Sequence, residues 1–465
     1  MNNQPIIQKM QPGIGESLRV GLCLPLLNLH CSFRTGGIWS QLRKSEWWSR
    51  AELEQLQTNK LLKLLRSSAN FVPYYQNQDL QYQPLAESMS PWEILAQLPI
   101  LTRTHIKNAG AAIRNPRSKR VFKSRTGGTT GEPLVIWRDI DTVSISEAAL
   151  WRGKAWAGIN PHHKAIAIKG FGKGSWYGRL RLRLLRKWPI PAFQPGAVEQ
   201  RRTIDLIHRV RPASVEGFVT DLLSVAEGQD LSAAGVRVVF TTGEMLYPEQ
   251  KKALEHAFSA RVISYYGCNE ISGVAFECEY GHMHITDEHV IVEAVDESGA
   301  LVWDQPGRLL VTDLDNHTMP LIRYELGDVG ILSKEICRCG RQLLVLKELH
   351  GRQQDAICNE KGDRLSATFF AGRFRDLQHV GRMQLVQHDW RAVEILYEGN
   401  EGKAAEELRS ITNEIHTRLG DQIKVWTTQV EMIPLTPRGK RLLIRGLPAG
   451  EQGGRPQIEK ALKSA

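Results

Sequence analysis

Between about Val121 and Asp287, short apolar runs such as residues 164–169 (KAIAIK) and 236–240 (VRVVF) alternate with helical patterns such as residues 249–258. Strands taken in turn with helices predict an α/β layer architecture. From Val290 to Ile331 the pattern changes: VIVEAV, RLLVTDL and PLIRYEL are separated by DESG, QPG and DNHT. Those separators are turn compositions, so strands without helices are expected there, as a small barrel-like subdomain.

Ahead of this region Leu53, Leu56, Leu61, Leu64 and Leu65 fall at helical spacing, and Pro73 follows as a stop signal. After Asp355 comes a strand-like run at 393–397, then a helix with Leu408, Ile411, Ile415 and Leu419 on one face, then a strand-like run at 425–431. A unit of that size suits a lid. The 465 residues fit two to four structural units. The expected division is a large N-terminal domain, 1–352 (1–115 mainly helical, 116–289 α/β, 290–352 β-rich), a mobile α+β lid, 353–445, and a polar tail, 446–465. No internal repeat is present.

The formal net charge of +10 favours anionic partners: nucleotides, acidic cofactors, nucleic acid or a membrane surface. A nucleic-acid role would want aromatics interleaved on a defined fold, which the sequence does not show. No apolar run is long enough to span a membrane; the best, residues 20–29 (VGLCLPLLNL), is short, has a central proline and lacks a small-residue cleavage site. No signal peptide and no span are therefore expected. The seven cysteines lack a dense disulfide framework, which points to a reducing cytoplasm. Residues 179–188 (RLRLRLLRKW) as a strand would put Arg179, Arg181 and Arg183 on one face. That face is either plainly solvated or a docking patch for coenzyme A phosphates, a carrier protein or anionic lipid. Residues 170–175 (GFGKGS) fit no phosphate motif and read as a flexible loop.

The most informative stretch is residues 124–133 (SRTGGTTGEP), directly after the apolar Val121 and Phe122. Adjacent glycines let the backbone approach a phosphate, and Ser124, Thr126, Thr129 and Thr130 add hydroxyl donors beside exposed N–H groups. It is not a P-loop, because Glu132 stands where that motif needs lysine. Taken alone, the stretch reads equally as a Gly/Thr-rich hairpin.

SRTGGTTGEP resembles the phosphate loop of adenylate-forming enzymes, and that superfamily's other motifs follow in order. TTGEML (241–246) resembles the adenine-side turn, YYGCNE (265–270) the Tyr-Gly-x-x-Glu segment, and RYELGDVG (323–330) the Tyr-Arg-x-Gly-Asp segment. HGRQQD (350–355) resembles the inter-domain hinge and TPRGK (436–440) the C-terminal catalytic lysine loop. LPILTRTHI (98–106) and CRCGR (337–341) are most similar to the phenylacetate-coenzyme A ligase branch, which includes capsule-biosynthesis proteins labelled CapK. At the hinge, Gln354 stands where the family has an acidic pivot.

The resemblance implies ATP-dependent activation of a small-molecule carboxylic acid to an acyl-adenylate, then transfer to a thiol, expected to be coenzyme A or a carrier protein. Transfer to an amine or hydroxyl in surface-polysaccharide synthesis, and a non-catalytic nucleotide-binding assembly role, remain as alternatives. The residue types suit the chemistry, since attack on the α-phosphorus builds charge that donors, Mg²⁺ and a cation must meet. The implied roles are Lys440 as mobile cation, Glu270 as Mg²⁺ ligand and Thr130 at the phosphates. Ser124, Thr126, Gly127, Gly128, Thr129 and Gly131 form the phosphate loop, and Gly243, Glu244, Tyr265, Tyr266 and Gly267 the adenine side. Asp328, in a Gly-Asp turn, would accept the ribose hydroxyls, with Arg352 as a second ribose or phosphate contact. Gly217, Phe218 and Thr220 would line the acyl pocket. In isolation Glu270 and Asp328 would read as surface carboxylates or helix caps, Lys440 as a solvated turn residue and Tyr266 as core.

Cys337 and Cys339 with Cys278 and His284, or His282 in its place, can form a tetrahedral Zn²⁺ site, and members of the branch carry a structural zinc built from a similar set. Buried thiols beside surface histidines are the alternative. The sequence does not give the acid or the oligomeric state, and it leaves peripheral membrane contact open.

Overall fold

The computed structural model describes residues 34–76, 89–119, 121–125, 134–168, 182, 186–190, 197–352, 356–360, 364–366, 370, 377, 379–399, 401–434 and 442–447. Outside the described residues lie 20–29, loop residues 126–133, GFGKGS, Arg179, Arg181, Arg183, hinge residues 353–355, Lys440 and the tail beyond 447.

The chain opens with helices α1 (Thr35–Ser45) and α2 (Arg50–Phe71). Ser49 starts α2 through a capping box: its Oγ accepts from Glu52 N, and the Glu52 carboxylate accepts from Ser49 N at 2.8 Å. Leu53, Leu61, Leu64 and Leu65 are buried as their spacing predicts. Pro73 ends α2 by holding Val72 extended, and it also begins the short α3 (Pro73–Gln76). Helices α4 (Pro91–Gln97) and α5 (Arg103–Ala109) complete this part.

Strands β1 (Phe122–Arg125) and β2 (Val135–Arg138) pair antiparallel on either side of the Gly/Thr-rich loop. Then follow α6 (Ile140–Trp156), β3 (Ala165–Ile168), β4 (Lys187–Ile190), α7 (Ala197–Val210), β5 (Ser214–Gly217), α8 (Val219–Ala226), β6 (Val238–Thr242), α9 (Pro248–Phe258) and β7 (Arg261–Tyr266). Strands alone come next: β8 (Ala275–Glu277), β9 (Met283–Ile285), β10 (Val290–Val295), β11 (Gly307–Asp313), β12 (Tyr324–Ser333) and β13 (Val345–Arg352). All from β3 to β13 join one 11-stranded sheet in the order β10-β11-β12-β13-β9-β8-β7-β6-β5-β3-β4. The β7-to-β4 half is parallel and the remainder antiparallel.

The strands expected to close into a barrel therefore extend the main sheet through β9 and β8. Their alternation and turns specify strands, whereas closure depends on which edge finds a partner, and here β13 pairs with β9 through Val345 and Leu346. The smaller C-terminal part has the hairpin β14 (Ala356–Cys358) with β15 (Arg364–Ser366), and a second sheet. That sheet contains β16 (Val380–Asp389), β17 (Ala392–Gly399), β18 (Lys424–Gln429) and β19 (Ile444–Arg445) in the order β18-β17-β16-β19. Helix α10 (Glu401–Leu419) buries Leu408, Ile411, Ile415 and Leu419 with Leu385, Val393 and Ile395 of the sheet.

A buried polar knot ties the β1–β2 hairpin to the sheet. Asp139 caps α6 by accepting from Thr142 N at 2.9 Å, and its other oxygen accepts from Thr318 Oγ1 at 3.0 Å. Asn316 donates to the Trp137 carbonyl at 3.2 Å. Next to it, Asp315 is 2.9 Å from His289 Nδ1 and 2.7 Å from the Lys60 ammonium, which supplies the counter-charge. Burial pulls the His289 imidazole down, but Asp313 and Asp315 outweigh it and hold its pKa above the usual value.

Candidate active site

Three parallel strands end side by side. Gly217 of β5 is in register with Thr241 of β6, and Thr242 of β6 with Tyr265 of β7. The carboxyl edge of parallel strands is where open α/β sheets bind ligands. Gly217 with Phe218 and Thr220, Gly243 with Glu244, and Tyr265 with Tyr266 and Gly267 all fall at this edge. The backbone geometry explains the glycines: Gly243 has φ +72°. A Cβ at Gly217 would stand 3.1 Å from the Ile168 carbonyl oxygen.

Two loops of the edge are linked directly. The Glu244 carboxylate accepts from Thr220 N at 2.8 Å, placing negative charge at the N-terminus of α8 where the helix dipole favours it. Tyr265 faces the core: its ring stacks on Phe276 with centroids 5.6 Å apart, and its hydroxyl donates to Glu216 at 2.8 Å. Burial, and then the Glu216 charge, push its phenol pKa well up. Lys154 bonds the other Glu216 oxygen.

Tyr266 joins the edge to the antiparallel half, since its hydroxyl donates to Asp328 Oδ2 at 2.6 Å. Asp328 is not in a turn. It lies inside β12, where Gly327 at φ +80° and a register shift between Arg308 and Leu310 of β11 form a bulge. The bulge re-aims the carboxylate without breaking the strand. Across the ladder Asp328 is in register with Arg352 of β13.

Glu270 follows β7 and is largely buried, with Arg103 of α5 at 3.4 Å from its carboxylate. Arg138, at the end of β2, donates to the backbone carbonyls of Asn269 and Glu270. Its burial lowers the guanidinium pKa, while Asp313, Cys268 and Glu270 work against that shift. Arg103 is held in place because Leu101 exchanges backbone bonds with Arg323 and Glu325, at 3.0 and 2.9 Å, beside β12. Arg323, in turn, donates to the carbonyls of Ala96 and Leu98 at 3.0 and 2.7 Å. Sequence reasoning missed Arg103 and Arg138 as site residues. The LPILTRTHI segment was the available signal for the first; nothing local marks the second.

In β1, ahead of the Gly/Thr-rich loop, Ser124 carries an Oγ that is buried with no hydrogen-bond partner among the described residues. Thr126, Gly127, Gly128, Thr129, Thr130 and Gly131 are outside them, as is the side chain of Arg352.

On the far side of β8 and β9, the donor atoms of Cys278, His284, Cys337 and Cys339 all lie within 4.8 Å of one another. Cys278 Sγ is 3.8 Å from Cys337 Sγ, and Cys339 Sγ is 3.3 Å from His284 Nε2. His284 Nδ1 faces the Leu343 carbonyl at 3.3 Å, which keeps the proton there and leaves Nε2 for the cluster. The hydrogen bond from the Cys278 thiol, and after it that from His284, hold the Cys339 thiol well below its usual pKa against the opposing effect of burial. His282, the alternative ligand, reaches Cys337 Sγ at 3.2 Å but is outside the four-atom set.

Residues 357–445 match the family described as the CapK C-terminal domain. The chain is 25% identical over 325 residues to a phenylacetate-coenzyme A ligase of Thermus thermophilus, covering 66% of this chain and 72% of the relative. It is 22% identical over 359 residues to protein CapK of Staphylococcus aureus, covering 74% and 78%. A solved 2-hydroxyisobutyryl-CoA ligase in complex with 2-HIB-AMP superposes with a TM-score of 0.68 at 18% identity, over 91% of this chain and 94% of that one. An anthranilate CoA ligase in complex with anthranoyl-AMP superposes with a TM-score of 0.51 at 17% identity, over 70% and 67%. With its sheet order, its ordered motifs and its CapK-type C-terminal domain, the chain is a relative of the phenylacetate-coenzyme A ligases and CapK, built on the fold of the adenylate-forming coenzyme A ligases.

Proposed function

We propose that the chain activates a small-molecule carboxylic acid with ATP, giving an acyl-adenylate and pyrophosphate, and then passes the acyl group to the thiol of coenzyme A. The observation that carries this reading is the Tyr266–Asp328 bond at the carboxyl edge of the parallel strands, with Glu270 four residues beyond that tyrosine. It gives one aromatic residue and one carboxylate for the adenosine and a second carboxylate for the phosphate end. Ser124 offers a hydroxyl with no partner among the described residues to the phosphates, with Thr129 and Thr130 further along the same loop in sequence. Gly217, Phe218 and Thr220 line the acid's side, and Lys440 brings the cation.

Glu270 would hold Mg²⁺. Its carboxylate is a hard oxygen donor, and its 3.4 Å pairing with Arg103 is longer than a tight charge-assisted bond, so the partner can be exchanged. The ion would draw charge from the phosphoryl oxygens. Asp328→Ala is expected to weaken ATP binding by at least about a hundredfold, since two ribose bonds to a carboxylate are worth about 1.5–3 kcal/mol each. Tyr266→Phe should weaken it less, by freeing the carboxylate without removing it. Calorimetry that finds unchanged ATP affinity in Asp328→Ala would reduce Asp328 to a bulge residue.

The Cys278–His284–Cys337–Cys339 cluster would hold a structural Zn²⁺. A tetrahedron with Zn–S bonds of about 2.3 Å has edges of about 3.8 Å, and the Cys278–Cys337 separation is 3.8 Å. The purified protein should contain one zinc per chain, and Cys337→Ser with Cys339→Ser should lower thermal stability while ATP binding persists. Metal analysis that finds no zinc after growth with ample zinc would remove this assignment.

The likeness to CapK leaves a second acceptor class to be tested, an amine or hydroxyl in surface-polysaccharide assembly. Product formation that needs no thiol would select it. The domain boundary near residue 352 and a cytoplasmic location belong to the same proposal. The five cysteines among the described residues form no disulfide with one another.

A further inference from the structure

Large apolar side chains are exposed at nine positions among the described residues, and three of these, Trp47 (56%), Tyr280 (46%) and Ile336 (69%), belong to one knob, with the exposed Trp48 next to Trp47 in the chain. Ile336 precedes Cys337 and Tyr280 follows Cys278 by two residues, and the two sulfurs are 3.8 Å apart. Trp47 reaches the same knob from the end of α1: its ring lies under the Arg341 guanidinium at 4.9 Å, and a Cβ on Gly340 would be 3.8 Å from it. The thiol–imidazole cluster thus presents an aromatic and aliphatic surface on short, cross-tied loops. The proposed ligase chemistry makes no use of it.

We propose that this face docks on an anionic lipid surface. Tryptophan and tyrosine favour the headgroup level, where an apolar body and a polar tip are both satisfied. The exposed charges of the knob are complementary to anionic lipid. Arg43 and Lys44 close α1, and Arg338 stands between Cys337 and Cys339, all exposed. Of the neighbouring acids, Glu279 is paired with Arg341 at 3.0 Å, and the exposed Glu335 lies 4.0 Å from Lys347, so Arg43, Lys44 and Arg338 outnumber it. A second copy of the chain would set these cations against themselves across a two-fold contact. No described helix is long and apolar enough to cross a membrane.

The test is co-sedimentation of the full chain with phosphatidylcholine vesicles, with and without phosphatidylglycerol, while tryptophan emission is followed. The wild type should pellet with the anionic vesicles, shift its emission to the blue and be released by salt. Arg43→Glu with Lys44→Glu should weaken that binding at least about tenfold, and Trp47→Ser with Trp48→Ser should weaken it and abolish the blue shift. Both variants should keep the wild-type melting temperature, and Ile336→Ser, at the most exposed position, serves as the variant least able to disturb folding. Equal pelleting of wild type and folded variants would overturn the proposal. So would vesicle-independent self-association lost in Trp47→Ser, or binding only to an acidic protein, since either makes the face a protein interface.

Discussion

Lys440→Ala is expected to cut carboxylate-dependent pyrophosphate release by about a hundredfold to a thousandfold while ATP affinity changes little. The lysine precedes β19, whose Ile444 pairs with Leu385 in the small C-terminal sheet. In the proposed reaction a cation just ahead of β19 in the chain would meet the α-phosphate when charge is moving through the transition state. Such a contact lowers the chemical barrier more than it favours substrate binding. Given presynthesised acyl-adenylate, the variant should still form the coenzyme A thioester. Normal pyrophosphate release would refute the role, and failure of both half-reactions in a protein with a lowered melting temperature would trace the loss to folding.

Glu288→Ala should destabilise the large domain by about 3 kcal/mol, the low end for orphaning one partner of a buried ion pair. Arg152 is fully buried and its guanidinium bonds Glu288 at 2.7 Å, while the same carboxylate oxygen accepts from Ser45 at 2.5 Å. The pair thereby locks α1 and α6 to the start of β10. The low end applies because Glu46 is close enough to Arg152 to be felt, although burial pushes its carboxyl up and its hydrogen bond goes to Trp156. Replacing both partners, Arg152→Met with Glu288→Leu, should recover much of the loss, because neither charge is then left buried alone. Urea unfolding of the two variants checks both statements. A single variant as stable as wild type would show that water or Glu46 compensates Arg152.

What could be read in the sequence was local. Strand and helix periods located β3, β6, β17, α9 and α10, because each period reports only which face is buried. The motif turns at Gly243 and Gly267 were legible for the same reason: a positive φ or a close backbone approach requires glycine in place. Pairing partners were not legible. The barrel-like subdomain became part of the main sheet, and the Gly327–Asp328 turn became a bulge, because both outcomes are decided by the neighbouring strand. Arg103 and Arg138 were hidden by distance along the chain, contacting Glu270 from 167 and 132 residues away. Arg323 stands within a nucleotide motif yet spends its guanidinium on Ala96, Leu98 and Glu293, a purpose that only the folded backbone discloses.

The most direct test is pyrophosphate release by the purified chain with ATP and Mg²⁺ across a panel of aryl, alkyl and hydroxy carboxylic acids. Stoichiometric AMP and pyrophosphate that appear only when the right acid is present, and a thioester when coenzyme A is added, are the predicted result. Release of ADP and orthophosphate, or no acid-dependent release by a folded protein that binds ATP, would contradict it.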